Sequence, residues 1–263
     1  MSHDHRTLIR DGISLAYEEA GSGETPILFV HGWSCNRSFF EPQISFFQRS
    51  RRVVAVDLRG HGASDAPHQD YTAAAFADDL AWMCAELALV KPFIVGHSMG
   101  GAVVSELAAR YPSLPAGIVV IDSILFPPEN ELERIRACVR EFQKETYRDA
   151  VEQVVGHMFI PTDDSARKAH LISMMLETPQ HVLASAFMNT LLGQDHAAVL
   201  RACQVPMAYI GGATPMADLA RLRAECPHVI TAQTLGSGHF SPLEVPDQMN
   251  AMLARFFDIS QSS

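Results

Sequence analysis

The chain has 263 residues, 48% of them hydrophobic, which suits one large domain or one domain carrying an insertion. Its 20 Lys and Arg against 30 Asp and Glu give a net charge of -10. That balance argues against a nucleic-acid partner or an anionic membrane surface.

Cys35, Cys84, Cys138, Cys203 and Cys226 are odd in number and widely spaced, without a Cys-x-x-Cys pair, and read as reduced thiols. The opening Met1-Ser2-His3-Asp4-His5-Arg6 is polar and lacks an apolar leader, and no apolar run approaches the roughly 20 residues of a membrane helix. The expected location is therefore cytoplasmic.

In chain order, the segments 7–10 and 13–19 flank Asp11-Gly12, a hairpin turn signal. A strand at 26–30 leads into His31-Gly32-Trp33, and a helix is expected over 39–48. A strand at 52–56 runs into Asp57-Leu58-Arg59-Gly60-His61-Gly62-Ala63-Ser64, which reads as a structural turn. A helix over 73–89 precedes the strand 93–95, the turn Gly96-His97-Ser98-Met99-Gly100 and a helix over 102–111. The sixth strand, 117–121, ends on Asp122.

The strand pattern then stops. Helices alone are expected over 129–145, 148–158, 163–177 and 179–192, so residues 127–200 read as a helical cap inserted after strand six. Strands resume at 207–210 and 229–235, with helices over 217–225 and 246–257. The expected fold is α/β: a mostly parallel, doubly wound, eight-stranded sheet, with 1–126 and 201–263 as its core domain.

The chemistry concentrates at loop positions. Ser98 sits at the apex of a strand–turn–helix, where a sharp turn exposes Oγ and flanking glycines avoid a collision. A serine hydroxyl needs a base to take its proton. His239, in Gly236-Ser237-Gly238-His239-Phe240 between the last strand and the last helix, is the candidate. The other histidines have no equivalent position: His97 is read as pointing along its strand, and His3 and His5 as tail. The backbone amides of Trp33 and Met99 are the expected oxyanion donors. His31 reads first as a strut for its loop, and is also carried with Trp33, Met158 and Phe187 as a substrate-contacting residue.

The orienting acid has two candidates. Asp122 ends an apolar strand and so faces the crevice at the strand ends, whereas Asp218 lies late in Ile210-Gly211-Gly212-Ala213-Thr214-Pro215-Met216-Ala217-Asp218. Asp122 is the preferred reading. Cys35 reads as a small buried side chain, with the pocket wall as its alternative. No Cys/His spacing suits a metal and no glycine-rich nucleotide fingerprint occurs, so neither metal nor cofactor is expected.

His31-Gly32-Trp33, the 57–64 run, Gly96-His97-Ser98-Met99-Gly100-Gly101 and Gly238-His239 together resemble the α/β-hydrolase superfamily over nearly the whole chain. The resemblance implies a serine hydrolase of small apolar or aromatic esters or lactones, with the histidine last in chain order. Gly212-Ala213-Thr214-Pro215 and Gly238-His239-Phe240 are similar to the zearalenone lactone hydrolases, whose acid follows strand six. His31-Gly32-Trp33 and the strand-six aspartate are also similar to the cofactor-independent 2,4-dioxygenases of 3-hydroxy-4-oxoquinolines, which would use the His239–Asp122 pair on oxygen chemistry. A non-catalytic small-molecule receptor on the same fold is the third reading. The sequence leaves oligomeric state open, a homodimer being one expectation.

Overall fold

The computed structural model describes residues 4–261, so the expectations for Met1–His3 and for the polar tail at Ser262–Ser263 lie outside the described residues. The chain opens on the antiparallel pair β1 (Asp4–Arg10) and β2 (Ile13–Ala20), turned at Asp11-Gly12 with φ 52° and 79°. His5, expected in a loose tail, lies inside β1 opposite Glu18.

β3 (Ile27–Val30), β4 (Val53–Val56), β5 (Phe93–His97), β6 (Gly117–Ile121), β7 (Met207–Gly211) and β8 (Ile230–Gln233) complete one eight-stranded sheet in the order β1-β2-β4-β3-β5-β6-β7-β8. All pairs from β4 to β8 are parallel. Every residue of β3, β4, β5, β6 and β7 is buried, the pattern of strands covered on both faces. β8 closes one edge and is only half-buried.

Helices α1 (Glu41–Phe47), α2 (Ala73–Glu86), α3 (Met99–Arg110), α9 (Leu219–Glu225), α10 (Ser241–Glu244) and α11 (Pro246–Gln261) flank the sheet. Several expectations needed correction. The helix expected over 39–48 is split into a 3-10 turn, Arg37–Phe40, and α1, because Pro42 enters at the start of the α-helix. The helix expected from 102 begins at Met99, directly after Ser98. Ser260 and Gln261, expected in a polar tail, form the last residues of α11.

Between β6 and β7 the chain is helical: α4 (Glu129–Phe142), α5 (Tyr147–Gly156), α6 (Ser165–Met175), α7 (Gln180–Leu191) and α8 (His196–Ala202). The α8 helix was not anticipated. Its start is capped by Asp195, whose carboxylate accepts from the Ala198 amide at 3.0 Å. A boundary at 200 therefore falls inside a helix. Trp33 carries these helices on the sheet. Its Nε1 donates to the Leu183 carbonyl at 2.9 Å, and its ring stacks on Phe142 at 5.2 Å and meets the tilted ring of Phe187 at 4.9 Å.

Candidate active site

Ser98 stands where β5 becomes α3, with φ 53° and ψ -118°, a backbone conformation that costs energy for a residue with a Cβ. The surroundings hold it there. Its amide donates to the Ile121 carbonyl at 2.8 Å, and its carbonyl accepts from Ser123 Oγ at 2.5 Å and from the Gly101 amide at 2.9 Å. A Cβ on Gly96 would collide with the Gly100 carbonyl, and one on Gly100 with the carbonyls of Val30 and His31. The glycines thus let α3 sit directly on β3 and β5.

Asp122 follows β6 directly, also at positive φ (44°), and is 1% exposed. Its amide extends the ladder to the Ile210 carbonyl at 2.9 Å. One carboxylate oxygen accepts from the amides of Gly212 and Met216, each at 3.2 Å. The other lies 2.9 Å from His239 Nδ1. That contact makes Nδ1 the protonated nitrogen and leaves Nε2 to act as the acceptor. Asp218 does something else: its carboxylate caps α9, accepting from the amides of Ala220 and Arg221 at 3.0 Å each.

The His239 loop is tied at several points. The Gly238 amide donates to Glu244 at 2.6 Å, and Ser237 and Thr234 share a hydrogen bond of 2.5 Å. Burial pushes the Glu244 carboxyl above its ordinary range. His97 does not simply follow its strand. Its Nε2 donates to the His239 carbonyl at 2.9 Å, and its ring lies 4.4 Å from Phe39 and 4.7 Å from His239. Burial, then the neighbouring His239, hold His97 well below the ordinary histidine value, so it supports the loop as a neutral ring. Sequence reading missed this role, although a histidine beside a glycine-flanked serine was its one visible signal.

Ser98, His239, Trp33, Met99, Met158 and Phe187 all face one cavity. Met175 faces it too, as do Ile124, Thr190, Leu191, Met216 and Phe240, which were not anticipated. Thr190 spends its hydroxyl on the Ala186 carbonyl at 2.7 Å, so the wall it presents is mostly a methyl group. The Met99 amide is the first of α3 and has no carbonyl one turn back to reach. No turn, loop or cap hydrogen bond among the described residues uses the Met99 or Trp33 amide.

His31 is corrected as a substrate contact. It is fully buried, its Nε2 accepts from the Leu58 amide at 3.0 Å, and its Nδ1 donates to the Gly32 carbonyl at 2.8 Å. Burial lowers its pKa to about 4. Both nitrogens are committed to backbone, so His31 is a strut joining the loops after β3 and β4. The 57–64 run is likewise structural. The Asp57 carboxylate receives the Arg37 side chain, the Arg37 amide at 2.7 Å and the Ala63 amide at 2.8 Å. Cys35 is both buried and a wall of the cavity.

The sequence model of the α/β hydrolase fold family matches residues 25–161. A 2-(acetamidomethylene)succinate hydrolase of Mesorhizobium japonicum is 30% identical, over 94% of this chain and 92% of its own. The 3-oxoadipate enol-lactonase 2 of Acinetobacter baylyi is 26% identical over 97% of this chain and 98% of its own. Among solved structures, a thermophilic esterase from Thermogutta terrifontis superposes with a TM-score of 0.84 at 24% identity, covering 99% of both chains, a likeness of fold.

Proposed function

The chain belongs to the α/β-hydrolase fold family, and on that premise we propose that it is a serine hydrolase of small carboxylic esters or lactones. The observation that carries this reading is the buried Asp122–His239 contact of 2.9 Å, in a cavity that His239 shares with Ser98. The esterase and lactonase names among the relatives support the same reaction class.

In this reading Ser98 Oγ attacks the carbonyl carbon while His239 Nε2 takes its proton. Asp122 holds the imidazole in the Nδ1–H form and stabilises the imidazolium. The tetrahedral oxyanion is received by the amides of Trp33 and Met99. His239 then gives the proton to the departing alkoxide, leaving an acyl group on Ser98. Water, deprotonated by His239, attacks that ester and releases the acid. Residues 127–200 act as the cap, and Met158, Phe187 and Trp33 offer apolar surface to the substrate.

The test is hydrolysis of a short-chain aryl ester by the wild type and by Ser98→Ala. Loss of at least roughly a thousandfold in kcat is expected for a serine nucleophile. A variant that keeps most of the rate would end this reading.

A further inference from the structure

A second cavity lies against the first. It is bordered by Cys35, Asn36, Ser64, Met174, Glu177 and Thr178. Cys35 faces both cavities, while the consecutive residues Met174 and Met175 face one each, Met175 the catalytic side. Cys35 and the adjacent Met174 and Met175 therefore form a shared partition between the two spaces.

The partition has soft side chains on a pinned backbone. Cys35 is 2% exposed, and burial pushes its thiol up to about 12, so it packs as a small neutral group. Met174 and Met175 end α6 and are both buried. Their backbone is tied to the loop that carries Cys35. Ser34 Oγ donates to the Met175 carbonyl at 2.5 Å, and Thr178 Oγ1 donates to the Ser34 carbonyl at 3.5 Å. The catalytic side is walled by apolar residues such as Ile124, Phe187 and Leu191. The far side presents Asn36, Ser64 and Thr178.

We propose that Cys35, Met174 and Met175 are specificity-determining residues: they close off the second cavity and so limit how long an acyl chain the enzyme accepts. The inference rests on the serine hydrolase reading above. In this reading a short apolar acyl group lies between Ser98 and the partition. A longer one must displace Met175 or Cys35, whose backbone cannot retreat while the Ser34 and Thr178 hydrogen bonds hold. Shortening a partition residue joins the two spaces and gives the extra methylenes a place to be buried.

The experiment measures kcat/KM for para-nitrophenyl butyrate and para-nitrophenyl octanoate. The wild type should favour butyrate by roughly tenfold or more, the scale on which apolar pockets discriminate by size. Met175→Ala should raise the octanoate-to-butyrate ratio about tenfold, and Cys35→Ala about threefold, since it removes less. A wild type that takes octanoate as readily as butyrate overturns the inference. So does an unchanged ratio in both variants, each shown to be folded by its thermal melt. If one variant fails to fold, the other decides. These failures differ from failure of the hydrolase reading, which would appear as wild-type hydrolysis of neither ester above the Ser98→Ala background and would remove both.

Discussion

The two walls of the catalytic cavity are built on different principles. The wall at the sheet's end is made of backbone. Ser98 and Asp122 both take positive φ at the ends of adjacent strands, and their amides continue the strand ladders. The wall from the helices between β6 and β7 is made of side chains, Met158, Met175, Phe187 and Leu191 among them. Backbone hydrogen bonds fix atoms to fractions of an ångström, as general-base chemistry requires. Apolar packing fixes volume and tolerates exchange of one side chain for another. On the proposed reading, the reacting groups sit on the rigid wall, and the adaptable one sets the shape of the substrate.

The most severe test of that contrast is Asp122→Asn beside Asp218→Asn. Asparagine at 122 can present an N–H to His239 and favour the wrong tautomer, so kcat should fall by roughly a thousandfold to ten-thousandfold. Asparagine at 218 still offers an oxygen to the first amides of α9, and activity should stay within about twofold. If the second variant is the inactive one, the acid has been misassigned.

Phe187→Ala probes the other wall. Its ring packs on Trp33 and Phe142, so the truncation should cost about 3 kcal/mol of stability. Any loss in kcat/KM for an aryl ester should come mainly through KM, because the side chain touches no reacting atom. A fall confined to kcat would show that this wall takes part in positioning Ser98 or His239.

Acid should distinguish the regions more gently. His31 and His61 are fully buried beneath the catalytic end of the sheet, and burial is the main cause lowering them to about 4 and about 3 from 6.5. Their folded pKa lies below the unfolded one, so their neutral forms favour the fold. Stability is full above pH 6.5 and falls as pH drops toward 4. One unit below the ordinary value the loss is about 1.4 kcal/mol per histidine. Melting temperature measured from pH 7.5 to about pH 5 should decline in the wild type and less steeply in His61→Asn. Equal slopes would mean that His61 already titrates normally in the folded chain.

Much of this was legible before the fold was known. The apolar runs at 26–30, 52–56, 93–95, 117–121 and 207–210 became β3 to β7, since a parallel strand covered on both faces must be continuously apolar. Ser98 and His239 stood out because glycine-rich turns after apolar runs have few other physical reasons to carry those residues. Preference for Asp122 over Asp218 followed from its place at a strand's carboxyl end.

Other features depended on which distant segments meet. His97 takes its role from a hydrogen bond to His239, 142 positions away, and His31 from one to Leu58. Cys35 becomes a wall between two cavities only because α6 packs across the loop that holds it. Helix α8 rests on a side-chain cap within an otherwise weak pattern, and it escaped sequence reading for that reason. Local patterns determine strands, turns and the residues that turns expose, because those depend on a few neighbouring dihedrals. The partners of a buried ring or thiol are set by long-range packing, which no single segment contains.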